Sequence, residues 1–170
     1  MPRHGLLQAL AINDVLQTWS WSISFPRIPG VSDTRSLAAK CISSEVPQVS
    51  VEPVAWEAQG GVKLMFRGKK TWSNSWTATF VESRDGATRE AFIQWTNLMH
   101  NPLTGLGAYK TQYAVPADLT QYDDAGLPAR VFKLVNAWPS EVGQASLDQS
   151  SGIVQYTIQF AFDYVEEDSK

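Results

Sequence analysis

Apolar side chains occupy every second position near the end of the chain, from residue 154 to residue 164. Most residues between them are polar, including Gln155, Thr157, Gln159 and Asp163. Successive side chains of a β-strand point to opposite faces, so this pattern predicts one long strand with a buried face and a polar face. Such a strand needs a sheet around it, which makes a β-rich fold the first expectation. The apolar positions are Val154, Tyr156, Ile158, Phe160, Phe162 and Tyr164.

The same period of two predicts further strands upstream. Residues 19–25, 75–81 and 131–136 alternate in this way, and residues 35–43 are predicted to form a strand that carries Cys41. Aromatic and β-branched residues dominate 75–81, which suits a sheet. The fold class predicted from the residues is therefore mainly β.

A turn at Gly60-Gly61 predicts a hairpin over residues 54–71. Pro47 and Pro53 cannot donate ladder hydrogen bonds, so residues 48–57 are expected to be an edge strand or a strand with a bulge. The second arm carries the densest basic cluster of the chain, which is either a solvated loop or a binding surface. The cluster consists of Arg67, Lys69 and Lys70, and Lys63 is a further basic residue of the same arm.

Two segments have helical spacing. Residues 4–16 are predicted to be a short N-terminal helix within an arm over 1–17, and residues 86–100 an amphipathic helix with Asp85 as its N-cap. Periodicity disappears over 101–128, which is predicted to be a long loop held for contact with a partner.

The length and charge narrow the class of protein. A chain of 170 residues suits one domain, here 1–170 with the β-rich body over 18–167, and its formal net charge of −3 provides no general basic footprint for DNA. No apolar run approaches the roughly 18 residues that span a bilayer, and the N-terminal run is shorter than a secretory signal requires. A soluble protein is expected.

Candidate catalytic groups are few. His4 and His100 lie in no catalytic motif, Cys41 is expected to be a core thiol, and Asp123-Asp124 lacks the spacing of a calcium loop and is expected to form a surface turn. The acidic residues 166–168 are expected to be a frayed terminus. The sequence therefore predicts no enzyme, no cofactor and no metal site.

One motif is more specific. The run Ala137-Trp138-Pro139-Ser140-Glu141-Val142-Gly143, then Leu147-Asp148, then the alternating segment 153–164, resembles the C-terminal signature of tail tube proteins of contractile-tailed bacteriophages. The resemblance covers most of residues 35–167. The residues expected to form the family signature and core are Trp76, Phe92, Trp95, Trp138, Pro139, Gly143, Leu147, Asp148, Tyr156, Phe160 and Tyr164.

The resemblance implies two packed antiparallel sheets forming a β-barrel-like domain with a flanking helix. It also implies a structural subunit of the virion, made in the host cytoplasm, that assembles into stacked hexameric rings. The genome would pass through the tube without specific DNA binding when the sheath contracts. The implied partners are further copies, the sheath protein, a baseplate or initiator protein and a tail terminator, with no membrane and no cofactor.

Several alternatives remain at this stage. Tubes of bacterial contractile injection systems and of type VI secretion systems, and baseplate proteins that initiate a tube, share the expected fold. Outside this class, the seven tryptophans would also suit a monomeric β-barrel that binds a small ligand or glycan.

Within the tube hypothesis, the hairpin 54–71 and the polar face of the last strand are expected to contribute to the lumen or to contacts between subunits. The candidate residues are Trp56, Lys63, Met65, Arg67, Lys69, Lys70, Gln155, Thr157 and Gln159.

Overall fold

The computed structural model describes residues 16–147, 149 and 151–169. The predicted N-terminal helix lies almost wholly outside these residues. The strands are β1 (Trp21–Ser24), β2 (Cys41–Ser44), β3 (Val49–Glu57), β4 (Lys63–Trp72), β5 (Ser75–Val81), β6 (Val115–Tyr122), β7 (Pro128–Val142), β8 (Gln155–Ala161) and β9 (Tyr164–Ser169). The helices are α1 (Thr34–Ala39), α2 (Ala87–Met99) and α3 (Lys110–Tyr113).

Within the described residues, these strands form two antiparallel sheets. Seven strands make the main sheet in the order β1-β6-β7-β8-β5-β2, with β9 paired to β7, and β3 pairs only with β4. The predicted mainly β class and the two antiparallel sheets are confirmed. The main sheet is open and not a closed barrel, because β1 and β2 at its two ends are not paired with each other in the described ranges.

Strand β7 runs through both halves of the main sheet. Its first half pairs with β6 and with β9, and its second half pairs with β8. Between its two halves, β7 bends at Asn136, which has a φ of +56°. Residues 162–163 separate β8 from β9 at the same place. The prediction of one uninterrupted final strand was therefore wrong. The acidic residues 166–168 were also misplaced, since they lie in β9 and not in a frayed terminus.

Two predicted segments have different structures. Residues 35–43 are not one strand, because Asp33 accepts a hydrogen bond from the Ser36 backbone at 3.0 Å and starts α1, which leaves only β2 as strand. The segment 101–128 is not a loop throughout, since it contains α3 and β6. In β6, Val115, Ala117 and Leu119 are buried at alternate positions, a pattern that the proline at 116 and the small alanine obscure in the sequence.

Helix α2 covers the core. Its Phe92 and Trp95 are fully buried, and both rings lie about 6 Å from the ring of Phe160 on β8. Asp85 is not the principal cap: its carboxylate accepts from the Ala87 backbone at 3.3 Å, while the Glu82 carboxylate accepts from Thr88 and Arg89 at 2.9 and 3.0 Å. No helix in the described ranges is long and apolar enough to cross a membrane.

Candidate subunit interface

The hairpin β3–β4 stands apart from the main sheet. Its strands pair in register from Glu57↔Lys63 near the tip to Val49↔Trp72 at the base, with an irregularity between Val51 and Pro53. At the turn, Gly60 and Gly61 have φ values of +91° and +79°, which glycine adopts without steric cost. The predicted hairpin, its turn and the edge position of residues 48–57 are confirmed. The bulge is not in this strand, because the extra residue at the irregularity lies in β4, at residues 68–69 opposite Glu52.

The outer half of the hairpin has two unlike faces. Directly paired residues of an antiparallel ladder share a face, so the pairs Val54↔Phe66 and Trp56↔Leu64 place four apolar side chains on one side. Trp56 and Phe66 are each 55% exposed. The other side carries the pairs Ala55↔Met65 and Glu57↔Lys63. A two-stranded hairpin is marginally stable alone in water, and here four apolar side chains of one face are exposed in the single chain.

The hairpin is also basic. It carries Lys63, Arg67, Lys69 and Lys70 against Glu52 and Glu57, and Lys63 lies 3.5 Å from Glu57. At the base, the Lys70 ammonium lies 5.3 Å from the centre of the Trp72 ring, and that ring lies 6.3 Å from the ring of Tyr164 at the start of β9. The base is thus anchored beside β9, while the tip projects.

The polar face of β8 carries amide and hydroxyl groups. Thr157 lies 3.2 Å from the Thr79 hydroxyl of β5, and the Gln159 amide donates to the Ser75 hydroxyl at 2.7 Å. Gln155 is paired with Val81 at the other end of the ladder and is exposed. These three predicted residues therefore share one polar surface, separate from the hairpin, and Glu141 of β7 borders it beside Gln159.

A second polar surface was missed from the sequence. The registers align Ser24, Asp118, Lys133 and Glu166 in one row across β1, β6, β7 and β9. One Asp118 carboxylate oxygen is buried without a hydrogen-bond partner among the described residues, and burial raises the pKa of Asp118 although the positive charge of Lys133 lowers it. The missed alternation of β6 was the signal that would have placed Asp118 here.

The signature residues occupy several environments. Trp76, Phe92, Trp95, Pro139 and Phe160 are buried, and the indole nitrogens of Trp76 and Trp95 donate to the backbone oxygens of Glu45 and Tyr113 at 2.9 and 2.8 Å. Trp138 packs edge-on against Tyr113, and Arg89 lies over the ring of Tyr156. Leu147 is 80% exposed and Tyr164 is partly exposed, so neither is a core residue. Asp148 lies outside the described residues.

The glycine at position 143 of the signature lies very close to the backbone of β8. Its backbone nitrogen donates to the Thr157 carbonyl at 2.9 Å, and its own carbonyl accepts from Arg89 at 3.2 Å. A Cβ at this position would overlap the Thr157 carbonyl oxygen. A residue without a side chain is therefore needed where β7 ends against β8.

The candidate chemical groups are dispersed. Burial raises the pKa of Cys41 to about 12, and His100 ends α2. Asp123 forms the predicted turn, since its carboxylate accepts from the backbone of Ala125 and Leu127 at 3.0 and 2.8 Å. In the described part of the chain, no three His, Cys, Asp or Glu residues cluster in a way that could hold a metal ion.

Known proteins resemble this chain in sequence. It is 27% identical over 135 residues to tail tube protein gp19 of Enterobacteria phage T4, which covers 75% of this chain and 79% of that protein. The gp19 protein of Enterobacteria phage T6 matches with the same identity and coverage. No family model matches the chain.

Solved structures share the fold. A chain of the tube-terminating cap of the anti-feeding prophage superposes with a TM-score of 0.69 at 12% identity, covering 92% of this chain and 93% of that one. A chain of the extended sheath-tube complex of the extracellular contractile injection system PVC gives a TM-score of 0.61 at 13% identity, with 98% and 99% coverage. By sequence, the chain is thus a homologue of the tail tube protein gp19 of phages T4 and T6, and it shares its fold with these two chains of contractile systems.

Proposed function

We propose that this protein is the structural subunit of a phage tail tube, and that it assembles into hexameric rings that stack into a hollow conduit for the genome. The similarity to gp19 over three quarters of the chain carries this proposal. The homologues are structural tube proteins, and the same role without catalysis is proposed for this chain. Its location would be the virion tail, after synthesis in the host cytoplasm.

The architecture supports assembly. The main sheet is open, so β1, β2 and β9 each present an edge that lacks a strand partner in the described ranges. Exposed edges favour pairing with another chain, and ring closure covers them. The apolar face of the hairpin is a second surface that association would bury.

The partners follow from the same proposal. Structural relatives come from sheath-tube, terminator and baseplate assemblies. We expect this tube to contact a sheath protein, to start on a baseplate or initiator protein and to end at a terminator. DNA would pass through the lumen without specific binding.

Electron microscopy of the purified protein and of the phage particle tests the tube function. Stacked rings in the preparation, and the subunit along the length of the tail, are expected. A protein that stays monomeric at high concentration and is absent from particles would overturn the proposal. Location only at the end of the tube would instead identify a cap or an initiator, and attachment to a cell-anchored machine would identify an injection system.

The polar face of β8 is proposed to border the lumen. Amide and hydroxyl groups bordered by the Glu141 carboxylate do not attract passing DNA, which suits a conduit. A Gln155→Cys variant, made with Cys41→Ser as background, tests this placement. In assembled tubes, a small maleimide should label the residue while an antibody-sized maleimide conjugate should not. Equal labelling by both reagents would place β8 on the outside.

A further inference from the structure

The hairpin β3–β4 has an excess of positive charge, and the structure leaves most of that charge uncompensated. Among the described residues, Lys63 is the hairpin cation that forms an ion pair, and its partner is Glu57. Lys70 instead lies against the Trp72 ring. Arg67 and Lys69 are exposed on β4 and have no carboxylate within 4 Å among the described residues. The ladder places Lys63 and Arg67 on the face of the hairpin opposite its apolar side chains.

Strand β9 has the opposite charge. Glu166, Glu167 and Asp168 are exposed and consecutive, and alternation places Glu167 on one face and the other two on the opposite face. Lys133 and Arg130 face β9 from β7, opposite Glu166 and Ser169. Neither cation forms an ion pair with the three carboxylates within the described residues. The acidic charge of β9 is therefore also available.

The free edge of β9 provides a matching shape. β9 pairs with β7 on one side, and its other side has no strand partner in the described ranges. β3 and β4 likewise pair only with each other there. An extended basic strand beside an extended acidic strand can form main-chain hydrogen bonds and place opposite charges in register. Two surfaces of one chain thus complement each other in charge and backbone form.

The occupant is a second copy of this chain. Trp72 and Tyr164 hold the base of the hairpin next to the start of β9 in the same chain, yet among the described residues no hairpin cation lies within 4 Å of a β9 carboxylate. A contact between unlike surfaces of identical chains repeats from copy to copy, and it therefore builds rings or stacks. We infer that the basic hairpin of one subunit lies along the acidic strand β9 of the next; this inference rests on the proposed tube function.

Charge reversal tests the inference on the full-length protein. The hairpin variant is Lys69→Glu with Lys70→Glu, and the strand variant is Glu166→Lys with Glu167→Lys. Each alone should raise the critical concentration for tube assembly at least about tenfold, because like charges would face each other. Circular dichroism establishes that each variant is folded. A matched control, Arg35→Glu with Arg84→Glu, reverses two exposed charges on α1 and before α2 and should assemble as the unmodified protein does.

Mixing the variants separates contact between chains from contact within a chain. An equimolar mixture of the hairpin and strand variants should assemble, since each reversed hairpin meets a reversed strand on the other variant. One chain carrying all four substitutions should also assemble. If that chain assembles and the mixture does not, the contact lies within the chain and the inference is wrong.

The remaining outcomes distinguish this inference from the tube proposal. Unmodified protein that never polymerises overturns both. Unmodified protein and all variants that polymerise equally overturn the hairpin contact alone. Loss of DNA binding in the hairpin variant with unchanged assembly would assign the basic surface to nucleic acid and also overturn the contact.

Discussion

The Asn136 side-chain amide donates a hydrogen bond to a carboxylate oxygen of Asp163 at 2.7 Å, across the bend where the main sheet changes direction. The Asp163 backbone nitrogen donates to the Val135 carbonyl at 3.0 Å in the same place, and Lys110 from α3 donates to both Asp163 oxygens. The bend is therefore held by a side-chain cluster, and three separate segments meet at one carboxylate.

Asn136 contributes through its backbone as well as its amide. Its positive φ is accessible to asparagine and glycine but is strained for alanine. We expect Asn136→Gly to lose only the hydrogen bond and Asn136→Ala to cost about 1 kcal/mol more. Urea denaturation of both variants measures the difference. Equal losses would show that the backbone conformation is relaxed in the variants.

The bond to Lys110, followed by that to Asn136, holds the pKa of Asp163 below its ordinary value of 3.8. A carboxyl whose pKa is lower in the folded state stabilises that state above its unfolded pKa, and the effect disappears as the pH falls through the folded pKa. Lys110→Met should therefore lower the free energy of unfolding at pH 7 by at most about 1 kcal/mol, since the pair is solvent-exposed. The melting temperatures of the variant and of the unmodified protein should differ at pH 7 and become equal as the pH falls to 2. A difference that persists at pH 2 would contradict this cause.

The ionised carboxyl of Asp118 should affect the stability of the fold in the opposite sense to that of Asp163. Because burial raises its pKa, ionisation destabilises the folded state once the pH exceeds the unfolded pKa. Asp118→Asn should raise the melting temperature at pH 7, and the gain should shrink as the pH falls and vanish below the ordinary carboxyl pKa of 3.8. Asp124→Asn, on the exposed turn after β6, is the control. A destabilised Asp118→Asn variant at neutral pH would show that Lys133 outweighs burial.

Gly143→Ala should destabilise the protein by about 1–3 kcal/mol, because the added methyl overlaps the Thr157 carbonyl oxygen and the backbone has to move. Gly152→Ala is a matched control, since nothing lies within 4 Å of a Cβ there. Chemical denaturation of the two variants provides the comparison. Equal stability would mean that β7 shifts at no cost.

Cys41 should react slowly with iodoacetamide in the folded protein. A pKa of about 12 leaves little thiolate near neutral pH, so alkylation should be at least about a hundredfold slower than in urea-unfolded protein. Mass spectrometry over time measures both rates. Comparable rates would indicate that the β2 edge opens frequently.

Much of the fold was predictable where burial imposes a simple period. Strand β5 was predicted over its full length, because Trp76, Ala78 and Phe80 alternate with polar residues and all three are buried. The hairpin was also predictable, because its glycine turn is a local signal, whereas the bulge lies in β4 and not at Pro53.

The errors arose where tertiary contacts decide the local structure. β6 was missed because Ala117 is small yet fully buried. The break between β8 and β9 depends on the hydrogen bond between Asn136 and Asp163, which are 27 residues apart in the chain. An alternation pattern in the sequence does not predict such a contact. The acidic β9 was visible in the sequence, but its role depends on a strand pairing that only the fold shows.

The passage of β7 through both halves of the main sheet has a mechanical consequence. Tension applied to one half is transmitted along covalent backbone, and the other half cannot detach while β7 stays paired. We therefore expect its amides to exchange with deuterium together, in a single cooperative opening. A subunit built in this way would respond to a sudden axial pull as one stiff element, and the two halves of its main sheet would not separate.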